Sequence, residues 1–180
     1  MSALLNYEQR VATLLRELGI ATTYGKERNM RLFYEAAELV SVGSDDSGRE
    51  HKLAPPAAQA WFALRDSADK DGIRLLLISA FRSLDYQRQI FSRKLAAGEP
   101  IEQILRVNAA PGYSEHHTGR AVDLTAAGCP PLSEEFEHTP AFAWLTFHAA
   151  KFGFALTYSR DNPHGIVYEP WHWAYVSTVG

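Results

Sequence analysis

The chain has 180 residues, 46% of them hydrophobic and 22% charged, a balance suited to one soluble globular domain and far from the polar, aromatic-poor make-up of disorder. Eighteen basic against twenty-one acidic side chains leave a net charge of -3 with no long Lys/Arg run, so nucleic acid is not an expected partner. The apolar stretch from Ile73 to Ala80 is broken by Arg74 and falls well short of the roughly 20 residues that a membrane span requires.

In chain order, Asn6 is placed to cap a helix whose apolar positions Val11, Leu14, Leu15 and Leu18 recur at helical spacing up to Gly19. Aromatic and β-branched residues from Arg31 to Val42 predict one or two short strands. The turn formers of Gly43 to Gly48 then predict an exposed loop. Pro55 and Pro56 open a helix with Ala57, Trp61, Leu64 and Ala68 as its buried stripe, closed by Asp71-Gly72. Ile73 to Ser79 reads as a buried strand, Ser83 caps a helix running to Gly98, and Pro100 forces a restart over Ile101 to Asn108. Ala121 to Thr125 alternates as a strand, with Val122 and Leu124 on one face and Asp123 on the other. Glu134 to Glu137 is expected in a loop, Thr139 caps a helix through Lys151 that Gly153 ends, and Ile166 to Val176 is expected as strand. The order of elements predicts one compact α+β domain with a mostly antiparallel central sheet flanked by helices. Residues 1–52 supply an N-terminal helix and strand or strands joined to a catalytic core over 53–180.

Chemistry concentrates in two places. Ser114-Glu-His-His-Thr-Gly-Arg-Ala-Val-Asp123 fits the pattern Ser-x-His-x-x-Gly-x-Ala-x-Asp at every fixed position, and Glu169-Pro-Trp-His172 fits Glu-x-Trp-His. A hydrolytic zinc ion keeps three protein ligands, drawn from imidazole nitrogens and carboxylate oxygens, and leaves its fourth position to water. His116, Asp123 and His172 supply those three, and Glu169 remains to take the proton of the water. In a regular strand residues 169 and 172 face opposite sides, so an irregular backbone at Pro170 is required for both to approach one ion.

Both motifs resemble the LAS metallopeptidases, a superfamily of D-alanyl-D-alanine carboxypeptidases and dipeptidases, L,D-carboxypeptidases, phage endolysins and the hedgehog signalling domain. The resemblance runs from about Leu53 to Val176 and is greatest to the D-alanyl-D-alanine carboxypeptidase branch. It implies an α+β fold, one Zn2+ ion and Glu169 as general base. It also implies removal of a C-terminal D-amino acid from peptidoglycan stem peptides. Ser79-Ala-Phe-Arg-Ser-x-x-x-Gln87 resembles the family's Arg-Ser-x-x-x-Gln segment. The resemblance therefore makes Arg82 a donor to the oxyanion or the terminal carboxylate, with Gln87 and Ser114 donating hydrogen bonds to substrate. Cleavage of L-alanyl-D-glutamate bonds, a D,D-dipeptidase activity and a noncatalytic metal-containing binding domain are the competing readings.

Several side chains carry a plainer alternative. His117 competes with His116 for the ion, although motif spacing favours His116. Asp123 could pair with Arg120, and Arg82 with Asp85. Trp173 reads as core, whereas Trp171 is divided between core and pocket wall. His51, His138 and His148 read as structural or exposed, and His164 lies in a turn near Glu169. Cys129, the single cysteine, reads as inert. Met1 to Gly19 carries Glu8, Arg10, Arg16 and Glu17 in place of an apolar export segment, so no signal peptide is expected. A monomer with no membrane span is the expected state.

Overall fold

The computed structural model describes residues 3–45 and 48–176, with side chains from residue 6 onward. Helix α1 (Ala3–Glu17) starts ahead of Asn6, which therefore lies inside the helix and does not cap it; Ala3, Leu4 and Leu5 are strong helix formers. Gly19 closes the helix at φ +71°, the left-handed turn for which glycine is suited. One further turn, α2 (Tyr24–Glu27), follows.

The strand expected over residues 31–42 begins only at β1 (Val40–Ser44), which pairs antiparallel with β2 (Glu50–Leu53) through a bulge between Ser41 and Gly43. The preceding stretch spends its backbone donors elsewhere. Phe33 N–H donates to Gly112 O at 2.8 Å and Ala36 N–H to His117 O at 2.8 Å, which pins the segment to the loop around the first motif instead of to a ladder. The loop expected over Gly43 to Gly48 is thus partly hairpin, and its members Asp46 and Ser47 lie outside the described residues.

Helix α3 (Pro55–Lys70) buries Ala57, Trp61, Leu64 and Ala68, the stripe read from periodicity. Strand β3 (Leu76–Ser79) starts three residues later than expected. Helix α4 (Leu84–Ala96) is capped by Ser83 Oγ, which accepts from Tyr86 N–H at 3.1 Å, and α5 (Ile101–Val107) follows the proline restart. Strand β4 (Ala121–Thr125) is buried along its whole length, because the sheet covers it on both sides and both faces are packed.

The acidic stretch expected as loop forms a 3-10 helix over Glu134–His138. The helix expected from Thr139 through Lys151 divides into α6 (Pro140–His148) and a 3-10 turn over Ala149–Phe152. Strand β5 (Phe154–Leu156) and strand β6 (His172–Tyr175) complete the set. The strand expected from Ile166 shrinks to β6 because Pro170 has no N–H to donate and His172 N–H turns back to Glu169 O at 3.1 Å.

The main sheet has the order β3-β4-β6-β5 with every neighbouring pair antiparallel, an α+β arrangement with helices against the sheet. One apolar cluster joins α3, α6 and the sheet around Trp61, Leu64, Val122, Leu124 and Leu145. A second joins α1, α2, α4 and α5 around Leu15, Tyr24, Phe91 and Ile104. No helix among the described residues is long and apolar enough to cross a membrane.

Candidate metal centre and cleft

Two ligand candidates are brought together by sheet register alone. Asp123 on β4 and His172 on β6 are directly opposed partners, and opposed residues share a face with their Cβ atoms only about 5 Å apart. His116 arrives from a 3-10 helix over Glu115–Thr118, which ends at Gly119 with φ +64° and Gly119 N–H returned to His116 O. A Cβ at Gly119 would stand 2.8 Å from Ala54 N, so the glycine of the motif is needed both for its conformation and for close approach to the end of β2. One ligand atom from each of His116, Asp123 and His172 lies within 4.8 Å of the others, and all three residues are buried.

Hydrogen bonds at the rear of each ring set which nitrogen faces the centre. His116 Nδ1 lies 2.6 Å from Ala80 O, a contact that a protonated Nδ1 satisfies. Its Nε2 therefore presents a lone pair, has no hydrogen-bond partner, and stands 3.2 Å from Asp123 Oδ2 in no donating geometry. Two acceptors aimed at the same point in a buried site leave room for a cation between them. His172 Nε2 lies 2.8 Å from Glu115 Oε2 and its Nδ1 3.0 Å from Asp123 Oδ1. The residues thus fit a divalent ion held by His116 Nε2, an Asp123 oxygen and His172 Nδ1.

The charges agree with that arrangement. Burial pushes His116 down to about 4, helped by Arg82, so its ring is neutral at physiological pH. Burial alone would raise Asp123, but His116 and His172 outweigh it and hold the carboxyl well below its ordinary range. Burial would likewise lower His172, yet its bonds to Asp123 and Glu115 raise it to about 10. Glu169 is pushed up to about 7, chiefly by burial and further by Asp123. A buried carboxyl poised near neutrality is what proton transfer at ordinary pH requires.

Glu169, Arg82, Ser114 and Trp171 line the same cleft of about 370 Å³ as the His-Asp-His group. Glu169 is carried there by the turn from Glu169 to His172, the irregular backbone that the spacing demanded. Arg82 follows β3 and is locked by its backbone, whose N–H donates to His116 O at 3.2 Å and whose O accepts from His117 Nδ1 at 2.6 Å. Arg82 Nε is buried with no hydrogen-bond partner among the described residues, and Asp85, its sequence alternative, pairs with Arg10 at 3.3 Å. Ser114 is buried at the cleft wall.

Gln87 is not among the cleft-lining residues: it is buried, and its amide donates to Ala109 O at 2.8 Å. Its geometry is that of a brace behind the Asn108–Ala109 wall. His117 bridges backbone on both sides, with Nδ1 to Arg82 O and Nε2 accepting from Gly112 N–H at 3.1 Å, so it fixes loops and does not face the centre. Trp173 is buried, donates to Pro170 O at 3.0 Å and packs on Phe142, whereas Trp171 is half-buried at the cleft. Arg120 lies over the Tyr175 ring, 5.2 Å from its centroid, and leaves Asp123 to the histidines. His164 lies outside the cleft.

Sequence reasoning missed two residues. Glu115 occupies a variable position of the first motif; a carboxylate beside the candidate ligand His116 was its only signal. Tyr158, whose ring centroid is 4.7 Å from that of His172, had no local signal.

Two imidazoles and a carboxylate converging on one point beside an antiparallel sheet, with a poised glutamate and a guanidinium whose Nε has no partner among the described residues, define a mononuclear metal-site domain. The chain belongs to the VanY D-alanyl-D-alanine carboxypeptidase family, whose model matches residues 50–178. YodJ of Bacillus subtilis (strain 168) is 33% identical over 151 residues, covering 79% of this chain and 55% of YodJ. Among solved structures, the LdcB LD-carboxypeptidase is similar at a TM-score of 0.70 and 33% identity, over 79% of this chain and 70% of that one. The vancomycin resistance D,D-pentapeptidase VanY from the VanB-type cassette, in complex with Zn(II), is similar at a TM-score of 0.61 and 29% identity, over 79% of this chain and 80% of that one. The chain spans about half the length of the curated relatives it matches.

Proposed function

We propose that this chain is a zinc-dependent carboxypeptidase that removes the C-terminal D-amino acid from peptidoglycan stem peptides, with D-Ala-D-Ala the leading terminus. The observation that carries the reading is the shared cleft. His116, Asp123 and His172 converge there, and Glu169 and Arg82 open onto the same space.

In this reading, His116, Asp123 and His172 would hold the zinc, and the bound ion would supply Lewis-acid polarisation of the scissile carbonyl and a water of pKa about 7. Glu169 accepts the proton of the attacking water and delivers it to the departing amine nitrogen, a general base that becomes the general acid. Arg82 aims a guanidinium with an unpaired Nε at the negative charge that develops on the carbonyl oxygen. Ser114 and Trp171 wall the cleft and keep bulk water from the reacting atoms. The reading extends to a monomer, which a length of 180 residues in one compact domain supports.

Removal of a D-residue that follows an L-residue is the second reading, supported by the similarity to the LdcB LD-carboxypeptidase. Mass spectrometry of products from defined muropeptides distinguishes the two. Loss of the last residue from a stem ending in D-Ala-D-Ala supports the first, and loss only from a shortened stem supports the second. Cleavage inside the stem overturns both. Chelation should abolish the activity and zinc restore it.

A further inference from the structure

A second cavity, of about 510 Å³, adjoins the cleft, and the two share Tyr158 as a common wall. Its far side is built by Lys26, Met30, Arg31 and Phe33, from a segment that precedes the residues matched by the family model. That segment is fixed in place. Arg28 donates to Leu105 O at 2.9 Å and to Gly165 O at 3.0 Å, Phe33 N–H is bonded to Gly112 O, and a Cβ at Gly25 would collide with the Tyr113 ring. The cavity is thus a built feature, in the size range of small-molecule sites.

Its charged lining sets two cations against one carboxylate. Lys26 and Arg31 are exposed cations at its wall, and the Glu115 carboxylate that also faces it is held by His172 through Oε2. Arg31 lies over the Phe33 ring, 4.8 Å from its centroid, which steadies a long side chain that would otherwise sample many rotamers. An occupant of matching chemistry carries a carboxylate with a short polar backbone. A peptide that reaches the centre in extended form advances roughly 3.3 Å per residue, and Tyr158, which lines both spaces, stands where its N-terminal part would leave the cleft.

We infer that this cavity is a subsite for the part of the substrate on the N-terminal side of the scissile bond, with Lys26 and Arg31 pairing with a free carboxylate of the stem peptide. The inference rests on the proposed peptidase reading and deepens it: the segment ahead of the family-matched region selects acidic stem peptides over bare C-terminal dipeptides.

The test compares wild type with a Lys26→Ala/Arg31→Ala double variant on two substrates, a full stem pentapeptide and N-acetyl-D-Ala-D-Ala, which ends before the cavity. Loss of two charge-assisted contacts lowers the ratio of kcat/KM for the long over the short substrate by about tenfold or more, and an unchanged ratio overturns the inference. Calorimetric binding of the tripeptide L-Ala-γ-D-Glu-L-Lys, whose γ-linked glutamate leaves its α-carboxylate free, to the metal-free protein provides a readout that needs no turnover. Weakening by about tenfold in the double variant, with partial recovery in Lys26→Arg/Arg31→Lys, supports the subsite; equal binding by wild type and double variant sinks it. If neither substrate is cleaved while the tripeptide still discriminates, the peptidase reading fails and the binding site stands.

Discussion

Nε2 of His172 lies 2.8 Å from Oε2 of Glu115, so the residue immediately before one candidate ligand orients the ring of another. With that bond in place His172 presents Nδ1 to the centre. A carboxylate behind a ligating histidine typically changes metal affinity by about 10- to 100-fold. Glu115→Gln keeps the shape and a hydrogen-bonding amide but loses the charge. Its zinc dissociation constant, measured by chelator competition, should rise by about tenfold or more with the folded state intact.

Zinc uptake should release protons, and the origin of the proton is specific. His116 is already neutral and Asp123 already ionised near neutrality, whereas His172 is raised to about 10 by its two carboxylate partners. The ion must displace the Nδ1 proton of His172. At about pH 8, calorimetry in buffers of different ionisation enthalpy should report close to one proton released per zinc bound.

Glu169→Gln should lower kcat by about 10²- to 10⁴-fold, the usual contribution of a positioned base, with zinc content unchanged. The same substitution carries a stability signature in the metal-free protein. Glu169 is held at about 7 by burial, so the folded state keeps its proton more tightly than the unfolded chain. That contribution is complete below the unfolded carboxyl pKa of about 4.3 and is lost as pH rises through about 7. Between about pH 5 and about pH 8, urea denaturation of metal-free wild type should therefore show a fall in stability of about 2 kcal/mol that Glu169→Gln lacks.

Arg82→Ala should reduce kcat by about 10²- to 10³-fold, the cost of one anion-stabilising donor, with a smaller change in KM. Arg82 acts electrostatically on both His116 and Glu169, which puts its charge beside the reacting atoms. Arg82→Lys should recover little, because a point charge does not reproduce a planar guanidinium. Steady-state kinetics on one stem peptide checks both variants.

Gly119→Ala forces a side chain into a left-handed backbone and toward Ala54 N at 2.8 Å. The expected loss is about 1–3 kcal/mol of stability, seen as a lowered denaturation midpoint. Weaker zinc retention should accompany it, because the 3-10 turn that carries His116 ends at that residue.

The centre was legible because its donors sit in two short motifs. His116 and Asp123 are separated by a tight turn and a strand entry, and Glu169 and His172 by a proline turn. Local spacing therefore carries nearly all the geometry. Helices α3 and α4 were equally legible from their apolar stripes and caps, since helical periodicity is a local property. The boundaries failed where backbone partners are remote. Residues 31–39 have strand-like composition but give their hydrogen bonds to Gly112 and His117.

By itself, the amino-acid sequence determined the candidate ligand set, the candidate base and the α+β class, because each depends on residue type at short separation. Only the tertiary structure decided that Glu115 grips His172 from 57 positions away. Only the tertiary structure, too, decided that Gln87 stands behind the cleft wall, that His117 binds backbone, and that a cationic cavity from the N-terminal segment opens beside Tyr158. The physical reason is common to all four: they depend on which surfaces two separate apolar clusters press together, and no local period or propensity encodes that choice.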